Sequence, residues 1–310
     1  MAKTKKSYLR DLSERGWEGR IVPVERLADL KAAIEGRHEE GLLDETFYQE
    51  RLSFFDFNLP QELPAARSII IVAVPVPQVE ALFHWEGKQV SAILPPTYAG
   101  YQALNERVRE VVAKLLKEAG YRVAKTALPL KTLAACSGLG AYGRNNLCYV
   151  AGMGSFLQLV GLYADLPCSD DPWRQPPMLA RCENCVACVR KCPTGAIAED
   201  RFLLWAERCI TFFNERQSDF PAWINRTWHN CLLGCMHCQS ICPENKPKRS
   251  WVERACVFSE EETALLLEAA SADRLPVGTL AKLKSLEITE DLGLLPRNLA
   301  ALLNRKLAPA

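Results

Sequence analysis

The chain has 310 residues, room for about two domains at ~150 residues each. Hydrophobic residues make up 48% and charged residues 24%, a balance that buries a sizeable core and excludes a disordered or fibrous chain. The net charge of +1 argues against a strongly basic, non-specific nucleic-acid binder, although a local basic patch is compatible with it.

The basic start, MAKTKKSYLRDL, leads into no apolar h-region, so no secretory signal is expected. No run approaches the ~20 apolar residues of a membrane helix, and the reading is a soluble cytoplasmic chain with no membrane partner. Residues 1 to about 60 read as mainly helical, with VERLADLKAAIEGRHEE placing apolar residues three and four apart. RSIIIVAVPV (67–76) is β-branched and nearly continuous, as a strand buried on both faces would be. ILPPTYAGY (93–101) is a proline-marked loop, and QALNERVREVVAKLLKEAG (102–120) is a helix closed by Gly120. SFLQLVGLYADL (155–166) returns to strand composition. Strands alternating with helices suggest an α/β or α+β layer up to about residue 165.

PCSDDPWRQPPM (167–178) is rich in proline and aspartate and marks a domain boundary. Beyond the cysteine-rich part, Ser259 and Glu262 stand in capping-box spacing ahead of a helix. Pro296 opens a last short helix, PRNLAALLNRK. The expected fold class is α+β, with an α/β domain over 1–170, a cysteine-rich domain over 171–250 and a small helical unit over 251–310.

Thirteen cysteines are many for such a chain, and nine of them lie between Cys182 and Cys242. Disulfides are disfavoured in a reducing compartment, so clustered thiols there point to metal ligands or catalysts. Cys182, Cys185, Cys188 and Cys192-Pro193 follow C-x2-C-x2-C-x3-C-P, the bacterial ferredoxin run. Three closely spaced thiolates hold three corners of one 4Fe–4S cube, and the fourth, before proline, serves a second cube. Cys235, Cys238 and Cys242-Pro243 supply the complementary half. Two 4Fe–4S clusters follow, one on Cys182, Cys185, Cys188 and Cys242, the other on Cys192, Cys209, Cys235 and Cys238. Cys231 competes with Cys209 for the last place; Cys209 is preferred because a stricter ferredoxin run has nothing at Cys231. The alternative, one zinc on Cys182, Cys185, Cys235 and Cys238, leaves the third cysteine of each run and both Cys-Pro pairs unexplained. Cys136, Cys148, Cys168, Cys231 and Cys256 read as small buried hydrophobes, and His229 and His237 as residues beside the second run.

GLGAYGRNN (138–146) contains G-x-G-x-x-G at Gly138, Gly140 and Gly143. A dinucleotide site needs a strand before these glycines and a helix after them. Here LKTLAACS before them looks helical, so the glycines are expected to bring backbone close to another bulky ligand.

The stretch SGLGAYGRNNLCYVAGMGSFLQLVGLYADLP, followed by CENCVACVRKCPTGAI, RCITF and GCMHCQSICPEN, resembles the epoxyqueuosine reductases. LLPRNLAALLN is similar to their C-terminal element, and the likeness covers most of residues 64–305 in motif order. The resemblance implies a corrinoid-binding α/β domain, distantly like that of reductive dehalogenases, joined to a double-cluster ferredoxin domain. It implies reduction of the epoxide of epoxyqueuosine in tRNA, with electrons passing from an external low-potential donor through the clusters to cobalamin. It nominates Arg67, Tyr98, Asn146 and Ser155, with Gly138, Gly140, Gly143 and Arg144 of the loop, as corrinoid contacts. Arg144 stands where the family usually has lysine.

One departure matters for chemistry. The family carries a proton-donating aspartate in a D-S/T-A-P-like stretch, where this chain reads VAKTALPLK with Ala124 or Lys125 in its place. Either another group donates the proton, with Tyr142, Tyr149 and Asp165 as candidates, or the substrate is not epoxyqueuosine. The other reading is a corrinoid-free electron-transfer protein serving a partner enzyme. The basic stretch NKPKRSW (245–251) suits phosphate contacts with tRNA, and equally a solvated loop.

Overall fold

The first sixty residues fold as helix α1 (Lys5–Ser13), strand β1 (Glu18–Pro23), helix α2 (Leu27–Glu39) and helix α3 (Glu45–Arg51) in a computed structural model that describes residues 5–268 and 271–307. Strand β1 interrupts the mainly helical stretch expected here. Its six residues, EGRIVP, include Gly and Pro, and only pairing makes a strand of them: Glu18 to Pro23 run antiparallel to Ala73 to Ser68. Gly19 lets α1 close in, because a Cβ there would lie 2.9 Å from Leu12 Cδ1.

The rest follows in order. Strands β2 (Ser68–Pro75), β3 (Gln78–Trp85) and β4 (Lys88–Leu94) precede helix α4 (Tyr101–Lys117). Strand β5 (Val123–Lys125), helix α5 (Leu130–Cys136), the short strands β6 (Ala141–Tyr142) and β7 (Cys148–Tyr149), and strand β8 (Leu157–Ala164) come next. The cysteine-rich part holds three short helices, α6 (Ala187–Lys191), α7 (Ile210–Asn214) and α8 (His237–Ile241). Strand β9 (Val252–Phe258) and helices α9 (Glu260–Leu267), α10 (Val277–Ser285) and α11 (Leu295–Leu307) complete the described chain. Among the described residues no helix is long and apolar enough to cross a membrane.

Packing divides the chain into two units, Met1–Pro75 with Ala103–Val186 and Glu199–Leu204, and Val76–Gln102 with Ala187–Ala198 and Trp205–Ala310. This grouping differs from consecutive division at residues 170 and 250. The reason lies in β3 and β4, which leave the first stretch of chain to share a sheet and a core with the C-terminal helices.

In the first unit four strands run in the order β1-β2-β8-β5, every neighbouring pair antiparallel. The near-continuous apolar run of β2 is explained by cover on both faces. Ile69, Ile71 and Ala73 join Leu30 of α2 and Leu133 of α5 in one core. Ile70, Val72 and Val74 join Tyr8 and Leu12 of α1 and Val108, Val112 and Leu116 of α4 in the other. Each fully buried aliphatic side chain contributes roughly 1.5–3 kcal/mol.

In the second unit a hairpin links β3 to β4 through Glu86 and Gly87, both at positive φ. Strand β9 adds to the other edge of β3 in parallel, giving the order β4-β3-β9. Phe258 stacks on Phe83 with ring centroids 4.7 Å apart. Leu266, Leu283, Leu299 and Leu302 of the C-terminal helices cover them, with Leu232 and Leu233 from the cysteine-rich part in the same core. The expected capping box forms at α9: Ser259 Oγ accepts from the Glu262 backbone N–H, and the Glu262 carboxylate accepts from the Ser259 N–H.

Candidate metal centre

In the second unit α6 and α8 pack together and repeat the same local plan fifty residues apart. Cys188 and Cys238 occupy the second position of their helices, and Cys192-Pro193 and Cys242-Pro243 end them. The chain can leave each helix there because proline has no N–H to continue it. The Cys192 N–H closes on the Cys188 carbonyl at 3.0 Å, and the Cys242 N–H on the Gln239 carbonyl at 3.3 Å. Carried over by the same interval, Cys182 corresponds to Leu232, which is buried in the core.

Cys192, Cys209, Cys231 and Cys235 lie close enough to feel one another. Burial pushes the Cys235 thiol well up, and the neighbouring Cys231, Cys209 and Cys192 push it further. Burial likewise raises Cys209, against hydrogen bonds from Thr211 and with a smaller push from Cys192. Thiols so placed resist ionising together until cations neutralise them. Among the described residues no three Cys, His, Asp or Glu side chains close around a single point.

A buried amide network braces this region. Asn214, at the end of α7, donates through Nδ2 to the Gly234 carbonyl at 2.9 Å. Asn298 of α11 donates to the carbonyls of Asn214 and Leu232 at 2.9 and 3.0 Å. Neither asparagine was singled out from the sequence; the available signal was a polar residue inside the apolar spacing of PRNLAALLN.

Tyr98, nominated as a corrinoid contact, also sits here. Its hydroxyl donates to the Glu215 carboxylate, and its ring fills the space over Gly234, where a Cβ would lie 2.5 Å from the hydroxyl oxygen. Burial first, then Glu215, raise the Tyr98 pKa well above its ordinary value.

In the first unit the glycine-rich loop carries the β6–β7 hairpin, and its glycines are used for contacts within the protein. A Cβ on Gly140 would lie 2.6 Å from the Tyr149 carbonyl oxygen and 2.9 Å from Cys148 Sγ. On Gly143 it would lie 2.5 Å from the Tyr149 ring, and Gly138, at positive φ, has the Arg174 guanidinium 3.4 Å from its Cβ position.

The loop instead grips the segment bearing Cys182 and Cys185. Tyr142 exchanges backbone bonds with Pro177 and Leu179, both 2.8 Å. Asn146, at φ 62°, donates through Nδ2 to the Phe202 carbonyl at 3.1 Å. Arg144 donates through Nη1 to the Glu199 carbonyl at 2.6 Å, through Nε to the Cys185 carbonyl at 3.3 Å, and through Nη2 to the Cys182 carbonyl. Its backbone N–H points at Cys182 Sγ, 3.4 Å away.

The remaining nominated residues are scattered. Arg67 is exposed at the start of β2, with its backbone paired to Ala164 and Val24. Ser155 is buried ahead of β8. Tyr142 shares a 3.0 Å hydrogen bond with Thr132, and burial pushes its hydroxyl up to about 12. The Tyr149 hydroxyl accepts from Asn145 Nδ2 at 3.0 Å. Asp165 accepts from the Arg122 backbone N–H at 2.7 Å and pairs with its guanidinium at 3.3 Å. Each candidate donor thus has a partner of its own. Ala124 is buried, and Lys125 pairs with Glu106 at 3.4 Å.

Residues 181–245 match the model of a 4Fe-4S double cluster binding domain. The chain is 35% identical over 148 residues to the epoxyqueuosine reductase of Xanthomonas campestris, covering 47% of this chain and 39% of that protein. It is 27% identical over 238 residues to that of Staphylococcus aureus, covering 70% and 58%. The matched stretches thus span between about two fifths and three fifths of these relatives' lengths. Epoxyqueuosine reductase from Bacillus subtilis, solved with its catalytic loop swung out of the active site, shares the fold at a TM-score of 0.67 and 20% identity, over 97% of this chain and 81% of that one. An epoxyqueuosine reductase solved with an epoxyqueuosine-modified tRNA stem loop gives 0.66 at 20% identity, with the same coverage. The likeness reaches well past the cysteine-rich segment: the chain is similar in sequence to the epoxyqueuosine reductases and shares their fold.

Proposed function

We propose that the chain is an iron–sulfur oxidoreductase that takes single electrons from an external low-potential donor and passes them through two 4Fe–4S clusters toward a reducible substrate. The observation that carries this reading is the fifty-residue repeat of helix, cysteine and Cys-Pro within the matched double-cluster segment. Cys182, Cys185, Cys188 and Cys242 would hold one cluster, and Cys192, Cys209, Cys235 and Cys238 the other. By family likeness the terminal cofactor is cobalamin and the substrate is epoxyqueuosine in tRNA. When bound, cobalamin would supply a strongly reducing, nucleophilic centre. Removing an epoxide oxygen takes two electrons and two protons and releases water, so this chain's own task would be to deliver two electrons and to admit both protons, from a side chain or from solvent.

The structure supports the electron half more directly than the proton half. Tyr142, Tyr149 and Asp165 are all engaged elsewhere, and by family likeness Ala124 or Lys125 stands in place of the proton-donating aspartate. The filled glycine loop and that missing carboxylate favour a second reading, a corrinoid-free electron carrier for a partner enzyme. Anaerobic reconstitution followed by gel filtration with hydroxocobalamin separates the two. Retained corrinoid with a perturbed spectrum supports the reductase; intact clusters without retention support the carrier; stoichiometric zinc with little sulfide overturns both.

A further inference from the structure

We infer that Arg144 is a positioning residue for the cluster that takes Cys182 and Cys185, an inference resting on the double-cluster reading above. The two cysteines lie in a short irregular segment, with Cys182 inside a 3-10 turn, Ala180–Glu183, that offers few bonds of its own. Arg144 supplies what the segment lacks. Its planar fork accounts for the carbonyls of Cys182, Cys185 and Glu199 at once. A lysine, with one ammonium on a flexible stem, cannot hold three carbonyls in fixed directions.

The residues fit the cluster in a second way. The Arg144 backbone N–H is aimed at Cys182 Sγ, the atom that would bind iron. Hydrogen bonds to cluster sulfurs and nearby positive charge both favour the reduced, more negative state, and so set the potential. Arg144 delivers both from one position. The loop that looks like a phosphate cradle is here a bracket: Gly140 and Gly143 let the β6–β7 hairpin close tightly, and the closed hairpin presents Arg144 to the cysteines.

Two variants separate the fork from the charge. In the reconstituted full chain, Arg144→Gln is expected to shift the midpoint potential of one cluster to more negative values, leaving the electron paramagnetic resonance of the other unchanged. Arg144→Lys keeps the charge and should hold the potential near its starting value. Both should lose one cluster to an iron chelator about 10-fold faster, as loss of an outer-shell partner does. Unchanged potentials, spectra and chelator kinetics in both variants overturn the inference. So does parallel loss of both clusters, because the clamp holds two proposed ligands of one cluster and none of the other. Starting protein that holds fewer than about eight irons overturns the double-cluster reading itself, before any variant is compared.

Discussion

The side-chain amide of Asn298 donates to the carbonyl oxygen of Leu232 at 3.0 Å, three residues ahead of Cys235. The same nitrogen donates to the Asn214 carbonyl at 2.9 Å, at the far end of the helix that Cys209 begins. One buried carboxamide on the last helix therefore ties together the segments that follow Cys209 and precede Cys235, two of the ligands proposed for the second cluster.

Replacing it should cost both stability and iron. Asn298→Ala leaves two buried carbonyls without a donor, at about 1–3 kcal/mol each. A lowered denaturation midpoint with selective loss of one cluster is expected. Native stability and full iron content would show that the network is dispensable.

The fourth ligand of the second cluster is decided by two serines. Cys209→Ser should lower iron from about eight to about four per chain, whereas Cys231→Ser should leave both clusters largely intact. Cys231 is fully buried beside Leu232, which sits where the repeat would put its fourth cysteine. The opposite pattern in iron and sulfide analysis assigns the ligand to Cys231.

Gly140→Ala tests what the glycine-rich loop is for. The added methyl would meet a backbone carbonyl at 2.6 Å, which cannot swing aside as a side chain can. Overpacking of this kind costs about 1–3 kcal/mol, so a drop in the urea midpoint is expected. Unchanged stability combined with loss of cobalamin binding would return the loop to a ligand-cradling role.

Tyr142 should stay protonated throughout the neutral range, since burial pushes it up to about 12. The unfolded chain loses this proton near ~10. Between these values the folded state binds more protons, so stability falls as pH rises through that window. Tyrosinate absorbance of the native protein, compared with Tyr142→Phe, should show this group titrating only near the upper limit. Ionisation near 10 in the folded state would contradict the buried Thr132 pairing.

Epoxyqueuosine reduction on tRNA, driven by a strong artificial reductant, should be weak. Loss of a positioned proton donor typically costs ~100- to 10,000-fold. Lys125 is a poor substitute, because its ammonium is exposed and paired with Glu106 at 3.4 Å. Turnover equal to that of an aspartate-bearing relative would redirect the search for the donor to Tyr149 and Asp165.

The cysteine runs were legible from sequence because cluster binding is local: three thiolates on one loop need fixed short spacings wherever the loop lies. The β2 strand and the α4 helix were legible for a similar reason, since an uninterrupted β-branched run and an apolar stripe each declare burial. Pairing was not. Strand β1 and the parallel addition of β9 to β3 exist through hydrogen bonds to segments about 50 and 170 residues away, which residue composition does not encode. The meaning of the glycine loop also belonged to the tertiary structure. Glycine at a given spacing says only that something comes close to the backbone, and the fold decided that it is Tyr149, Cys148 and Arg174. Arg144 shows the same division: its identity is written in the sequence, and its hold on Cys182 and Cys185 arises only when a hairpin and a distant turn are brought face to face.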